Sequence, residues 1–517
     1  MIMEFSKEDR FVLTLPLKTE LFQEHILEKR FEIGRKLYNS LLNKTAKRYE
    51  QMTRTKVYRK TTNQLLEASK QLEIEEKKTN KNKTTIRNLK KEKKEALDTL
   101  NQLRKEYRIS EFDFFKDMTP MRLPFKKNID SLTAQAIAGQ VWRAFESVIF
   151  GKGDKFHFKK HNEFNSLAGK TNTSGIRYFK DEKILSWNGL KMPVMVDLSN
   201  NYEVKALDND ICYSQIVSKT IGNKTRYFAH ITLKGVRPVK YDKYTGKIKH
   251  SLGKGKVGID IGTSTIAVVG DSQVKLQELA KNIENLEKDI ARLQRKLDRS
   301  RRITNPDNFN EDGTIKRQGN KKMHWVRSKK YVKTQNLIRD AKRKQAQIRK
   351  IEHETLANEI ISMGDEFYVE DINFKALQKR AKNTEVSEKT GKYKRKKRFG
   401  KSLGNRAPAM LLIIVDRKLK HYGRSLIKIN TREARASQYN HTDQTYTKKS
   451  LSKRWNNING KKIQRDLYSA FLIQNINDDL KTFNEESCNV KFDSFLALHD
   501  ETIKELKGNN NPSCMGV

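Results

Sequence analysis

Three acidic residues stand among apolar neighbours that forecast burial: Asp260 in VGIDIG, Glu370 in FYVED and Asp466 in IQRDLYSAFLI. A buried carboxylate is costly unless something positive neutralises it, and carboxylates that converge raise one another's pKa. Divalent magnesium, a hard ion that prefers oxygen ligands, relieves both penalties. Two such ions, about 4 Å apart, would activate an attacking water and stabilise the departing oxygen of a phosphodiester. Each acid also has a plainer reading: Asp260 as the residue before a turn, Glu370 as partner to one of the many lysines, Asp466 as a helix N-cap. Asp371 competes with Glu370, but adjacent strand residues face opposite ways, so only one of them can look into a shared site.

Other residues invite chemistry more weakly. The tract Lys392, Lys394, Arg395, Lys396, Lys397 and Arg398, interleaved with Tyr393 and Phe399, reads equally as a flap on nucleic acid or as a solvated basic loop. Arg454 and Trp455 are further candidates for nucleic-acid contact, with Trp455 and Tyr439 suiting either base stacking or, preferably, a small core. His157 and His161 lie four apart in FHFKKH, a segment that reads as a strand and so does not place them on neighbouring helical turns; no metal is assigned there. Cys212, Cys488 and Cys514 are too scattered for a disulfide scaffold or a four-cysteine zinc ribbon.

To converge, the three acids need a sheet and a helix. VGIDIGTSTIAVVG reads as strand, tight turn and strand, opening a parallel or mixed α/β core; DEFYVEDINF and RSLIKIN supply further strands, and APAMLLIIVDRKLKHYG and RDLYSAFLIQNI read as helices. Placing FYVE beside IGID, with a helix start against the same edge, would gather the acids in one cleft. Leu276, Leu279, Ile283, Leu286, Ile290, Leu293 and Leu297 form a heptad stripe; with a second helix from about Ser328 to Met363 it makes an antiparallel hairpin on the core, a coiled-coil dimer being the alternative. The stretch 431–462 reads as polar and irregular.

Upstream, FVLTLPL (11–17) alternates as an edge strand, followed by helices over 23–60 and a charged helical hairpin over 61–108. Ser131 is the expected cap of a helix that buries Ile137, Val141, Trp142, Phe145 and Ile149 and stops at Gly151. Beyond it KFHFKK, GIRYFKD, DICYSQIV and RYFAHITL read as strands of a small β-domain, the last with Tyr227, Ala229, Ile231 and Leu233 on one face. The simplest topology has the first strand joining this later sheet, with the helices inserted between.

At 517 residues the chain is long enough for three or four domains and excludes a peptide-scale binding module. Its 107 Lys and Arg outweigh 62 Asp and Glu, a net charge of +45 that points to a polyanionic partner, nucleic acid above all. No apolar run is long enough to span a membrane and the start lacks the order of a signal peptide, so a cytosolic protein without a membrane partner is expected.

VGIDIGTSTIAVVG, FYVEDINFKALQKRA and IQRDLYSAFLI resemble, in that order, the three RuvC motifs of the TnpB family of RNA-guided nucleases and of the compact type V CRISPR effectors related to it; SLGNRAPAMLL and ASQYNH extend the likeness through most of the C-terminal half. The resemblance implies a multidomain α+β fold: a ribonuclease-H-like (RuvC) α/β core split by helical and basic insertions, preceded by a β-rich wedge domain carrying an inserted helical recognition domain. It would assign residues 1–22 and 150–253 to the wedge and 23–149 to the recognition domain. Residues 254–430 would hold the first two RuvC motifs with the helical hairpin, and 431–462 a reduced target-nucleic-acid-binding insertion. The third motif would span 463–485, with a C-terminal tail over 486–517.

By the same resemblance Asp260, Glu370 and Asp466 are the metal-binding carboxylates, Asp260 bridging two Mg2+ ions, and hydrolysis leaves a 5′-phosphate and a 3′-hydroxyl. A guide RNA paired with target DNA as an RNA–DNA heteroduplex would carry sequence recognition next to a short flanking motif. The protein would act as monomer or homodimer on one guide RNA, in a prokaryotic cytoplasm. Family members usually carry a four-cysteine zinc ribbon between the second and third motifs; here RASQYNHTDQTYTKKSLSKRW has no cysteine, so no zinc is predicted. GIDIGTS also looks like the first phosphate loop of sugar kinases and actin-like ATPases, but no second phosphate loop or adenosine motif follows. A non-enzymatic RNA-guided or RNA-binding protein would explain the charge and not the acids.

Overall fold

The computed structural model describes residues 9–508, except 77, 79–81, 152, 154, 223, 243, 317, 318, 320–322, 380–385, 387–398, 451 and 452, together with 515 and 516. The chain divides at Pro238/Val239 into two compact units. In order, the first contains β1 (Arg10–Pro16), α1 (Leu21–Arg54), α2 (Lys56–Glu76), α3 (Lys83–Glu106), α4 (Glu111–Arg122), α5 (Ser131–Ile149), β2 (Ser166–Ala168), β3 (Arg177–Phe179), β4 (Ile184–Trp187), β5 (Leu190–Pro193), α6 (Asn201–Leu207), β6 (Ile211–Ile221) and β7 (Lys224–Lys234).

Alternation buries Phe11, Leu13 and Leu15 of β1, and the strand pairs antiparallel with β7 from Arg10↔Lys234 to Pro16↔Phe228. The first strand thus sits at the edge of a sheet of order β1-β7-β6-β2, whose other members follow the helices. An edge position suits Pro16, which has no N–H to donate. Tyr227, Ala229, Ile231 and Leu233 of β7 share one core with Leu27, Leu37 and Leu41 of α1 and Ile137, Val141 and Phe145 of α5. Helices and sheet therefore form one unit, not two with separate cores.

Several sequence expectations give way here to local physics. The helices expected over 23–60 break at Thr55, where α1 ends at Arg54 because Thr55 turns extended with its hydroxyl on Met52 O at 2.8 Å, and the second of them runs past residue 60 to Glu76. Its oxygen also accepts Tyr58 N at 3.2 Å, which starts α2 at Lys56. Asp130, not Ser131, caps α5, its carboxylate accepting Thr133 N at 2.9 Å. Residues 155–160 form no strand: Phe156 stacks on Phe145 at 4.2 Å, and Lys159 O accepts from Asn39 and Arg35 at 2.8 and 3.0 Å. Side chains of α1 satisfy a backbone that a ladder would otherwise have to satisfy.

The second unit contains β8 (Lys256–Ile261), β9 (Thr265–Val269), β10 (Val274–Glu278), α7 (Glu284–Thr304), α8 (Lys329–Ile361), β11 (Glu366–Glu370), α9 (Phe374–Leu377), α10 (Gly400–Arg406), α11 (Pro408–Lys420), β12 (Leu426–Ile429), α12 (Thr431–Ala434), β13 (Tyr439–Asn440), β14 (Thr445–Tyr446), β15 (Trp455–Ile458), β16 (Lys461–Gln464), α13 (Arg465–Gln474) and α14 (Glu485–Gly508). Its five-stranded sheet has the order β10-β9-β8-β11-β12. β8, β9 and β10 are antiparallel neighbours, while β8, β11 and β12 run parallel.

One face of this sheet presents Val257, Ile259, Ile261, Phe367 and Val369 to α8 and α11. The other presents Ala267, Val269 and Tyr368 to α13 and α14. β8 is central and apolar on one side, with Gly258 and Asp260 left on the other. The unit begins at Val239, ahead of the expected 254, because the Tyr241↔Ile248 bridge and its sequel belong to it: Tyr422 Oη donates to His250 O, and Asn358 Nδ2 meets His250 Nε2 at 3.2 Å.

The heptad stripe is shorter than its sequence spacing suggests. Leu276 lies in β10, and Leu279 and Ile283 precede α7, which packs on α8. The segment expected as a tail is mostly α14, with Cys488, Phe492, Phe495, His499 and Ile503 buried along one side. Residues 431–462 hold a short helix and two small hairpins. Tyr439 stacks there on Phe483 at 4.9 Å and meets Tyr446 at 4.8 Å, tying the segment into the core of α13 and α14. Among the described residues no helix is long and apolar enough to cross a membrane.

Candidate active site

The parallel register of β8 and β11 runs from Lys256↔Glu366 to Ile259↔Val369. One step on, Asp260 and Glu370 stand on adjacent strands, on the face shared with Gly258 and Tyr368. In-register residues of neighbouring parallel strands project the same way, with backbones about 4.8 Å apart. Asp371 faces the other way: it is exposed and pairs with Lys428 Nζ at 2.9 Å. The alternation argument for Glu370 over Asp371 therefore has a structural counterpart.

Asp466 arrives on α13. A Cβ on Gly258 would stand 2.0 Å from Ala470 O and 2.4 Å from Gln474 N, so only glycine lets the helix backbone approach β8 this closely. Gln474 Nε2 also donates to Lys256 O at 2.9 Å. Four helical residues advance about 6 Å, nearly the length of two strand residues. α13 therefore descends β8 in step, Gln474 at Lys256 and Ala470 at Gly258, which carries its first turn and Asp466 to the Asp260 end. Gln464, not Asp466, caps the helix, accepting Leu467 N at 2.8 Å. His499 of α14 accepts Gln464 N at 3.0 Å and fixes that entry.

Electrostatics ties the three acids together. The Asp260 carboxyl is pushed well above the ordinary carboxylate range, first by burial and then by the negative charges of Glu370 and Asp466, with Arg465 acting in the opposite sense. Burial pushes Glu370 up to about 7. Both keep some solvent access, yet the surrounding protein displaces most of the water that would hydrate a charge. No Lys, Arg or His among the described residues lies within ion-pair distance of either. The Ser469 hydroxyl, one helical turn beyond Asp466, tempers Asp260 without making a hydrogen bond of ordinary geometry.

Asp466 is held differently. Its Oδ1 accepts from Arg465 Nε and Nη2 at 3.1 and 2.9 Å, and its Oδ2 accepts from Arg454 Nη1 at 3.3 Å and Gln464 Nε2 at 3.4 Å. Among the described residues no three His, Cys, Asp or Glu side chains form a ready-made metal cage. The donor chemistry nonetheless fits a hard divalent cation: two in-register carboxylates lack a cationic partner among the described residues, and a third stands at the same strand end under arginine restraint.

The remaining candidates divide. Trp455 is partly buried, donates through Nε1 to Gly516 O at 2.7 Å and carries Lys462 Nζ 5.2 Å from its ring centre. Tyr439 is core. Lys392, Lys394, Arg395, Lys396, Lys397 and Arg398 lie outside the described residues. The sequence reading missed Ser469, Arg465, Gln464 and His499. It also passed over Gly258, although a glycine in the middle of an apolar strand was a readable sign of close backbone approach.

No family model and no curated protein matches the sequence. Among solved structures, the chain is similar to the protein of a cryo-EM Cas12f1–sgRNA–target DNA complex, with 11% identity and a TM-score of 0.40 over 91% of this chain and 99% of that one. It is also similar to the protein of a cryo-EM CRISPR-Cas12f ternary complex, with 13% identity and a TM-score of 0.22 over 89% of this chain and 86% of that one. Likenesses this distant carry no functional weight.

Proposed function

We propose that this chain is an RNA-guided DNA endonuclease of the TnpB and compact type V CRISPR effector kind, cleaving by RuvC-type hydrolysis at Asp260, Glu370 and Asp466. The observation that carries the reading is the pair Asp260 and Glu370, adjacent on parallel strands and, among the described residues, without ion-pair partners, with the head of α13 and Asp466 brought to the same strand end. The strand order β10-β9-β8-β11-β12, with three antiparallel strands followed by two parallel ones, supports the reading of a ribonuclease-H-like core.

Asp260, Glu370 and Asp466 would hold magnesium, which when bound supplies an activated water and charge for the departing oxygen. The chain's own part is positional. The sheet fixes Asp260 and Glu370, Gly258 lets α13 reach them, and Arg465 orients Asp466. A net charge of +45 suits a protein that wraps a guide RNA and the RNA–DNA heteroduplex formed on target DNA. Monomer and homodimer on one guide RNA are both compatible with the site, which one chain supplies whole.

The test is nicking of DNA by the purified ribonucleoprotein in magnesium. Asp260→Ala should abolish it, and equal activity in the variant would remove the catalytic assignment. RNA sequenced from the purified protein should be one defined species with a variable guide segment.

A further inference from the structure

We propose that Arg454 is a charge latch on Asp466 which a divalent cation must displace, so that Arg454 sets how tightly the site takes up metal. This rests on the nuclease reading above and adds a positioning residue to it. Two guanidiniums hold Asp466, and they hold it unequally. Arg465 is 13% exposed, gives two hydrogen bonds to Oδ1 and reaches Lys453 O at 3.4 Å. Arg454 is 33% exposed and gives one longer bond, 3.3 Å, to Oδ2. The weaker, wetter contact is the one that can open, and it guards the oxygen Arg465 leaves free.

Arg454 is aimed at Asp466 by its frame. Its carbonyl accepts Arg465 N at 2.8 Å, where the hairpin of β15 and β16 closes from Trp455↔Gln464. Gly516 lies against the stem of its side chain, so closely that a Cβ there would come within 2.4 Å of Arg454 Cγ. Trp455 Nε1 holds Gly516 O at 2.7 Å. The residue thus belongs to the insertion between the second and third acidic motifs, yet its charged end lies on the third acid.

Such a contact has two consequences. It neutralises Asp466 in the resting protein, where a third negative charge beside Asp260 and Glu370 would be repelled. It also competes with any cation for Oδ2, because a carboxylate oxygen committed to a guanidinium is a poorer ligand for a second positive charge. Removing the guanidinium while keeping a polar side chain should therefore tighten metal binding; a purely structural Arg454 would lower stability without doing so.

The experiment is Mn2+ titration of the full-length protein without nucleic acid, read by electron paramagnetic resonance of free Mn2+. Wild type, Arg454→Gln, Arg454→Lys and Asp260→Asn are compared. Arg454→Gln should bind about tenfold more tightly than wild type. Arg454→Lys, which keeps the charge on a shorter reach, should fall between them, and Asp260→Asn should lose the site. If affinity is unchanged or weaker in Arg454→Gln, or if the lysine variant does not fall between, the latch is wrong while the nuclease reading stands. If wild type shows no Asp260-dependent Mn2+ binding, the nuclease reading fails and takes the latch with it.

Discussion

Asp260 and Glu370 are carboxylates that the protein keeps at a cost. Burial raises both, and among the described residues neither has a cationic neighbour within ion-pair distance. A neutral isostere should therefore suit the metal-free fold better than the native acid. Asp260→Asn is expected to raise the thermal midpoint in EDTA, with a gain on the order of 1 kcal/mol, while cutting magnesium-dependent cleavage at least about a hundredfold. A lower midpoint would mean that Asp260 has a structural partner. Glu370→Gln should behave alike, and Asp371→Asn should leave cleavage within about threefold, since Asp371 faces away toward Lys428. At this scale apolar flanks forecast that Asp260 and Glu370 would be largely covered, and strand alternation put Glu370 and Asp371 on opposite faces, as the strand does. Arg454, Arg465 and Ser469 escaped it, because nothing in a linear string says which of many arginines ends on a particular carboxylate.

The element that decides the site is the crossing of α13 over β8 at Gly258. Gly258→Ala places a methyl 2.0 Å from Ala470 O and 2.4 Å from Gln474 N of α13, and backbone cannot swing away as a flexible side chain would. The variant should be destabilised by roughly 3 kcal/mol or more and should lose cleavage even when folded, as α13 and Asp466 move off together; a near-native melting curve would show that the crossing is looser than described. A second element carries a pH signature. His230 on β7 has its pKa lowered to about 4, by burial and then by Lys219, and its Nε2 has no hydrogen-bond partner. The unfolded chain takes up a proton near pH 6.5 and the folded one does not until about pH 4. The stability of the N-terminal unit should therefore fall as pH drops through that window, by up to about 3 kcal/mol. His230→Phe should flatten the slope of denaturation midpoint against pH by about one proton; an unchanged slope would place the acid sensitivity elsewhere. The helical hairpin, the strands flanking the acids and α13 were all readable from periodicity. The segment 155–160 misled because alternating Phe and His mimic a strand, whereas side chains from α1 satisfy its backbone. α14 carried a helical signal, Cys488, Phe492, Phe495, His499 and Ile503 at spacings of three and four, that the reading passed over.

Across the whole molecule the dominant quantity is a charge of +45. RNA binding should weaken steeply with salt, with a log–log slope of roughly −5 or steeper between about 0.1 and 0.5 M; a slope near −1 would show that few phosphates are contacted. Composition and motif order were enough to set out a large, basic chain with three spaced acids on two strands and a helix start, because charge, periodicity and residue type are properties of the chain itself. Even the pairing of the first strand with a sheet beyond the helices followed from economy of topology. What needed the tertiary structure was everything that depends on distance between residues far apart in sequence. It alone shows one core shared by the N-terminal helices and sheet, and a cysteine-free segment tied down by Tyr439 against Phe483. It alone shows Asp466 resting between Arg465 and Arg454 while, among the described residues, Asp260 and Glu370 have no such partner. Burial and pairing are set by the packing of many side chains at once, and a linear pattern records which residues can be buried without recording what they are buried against.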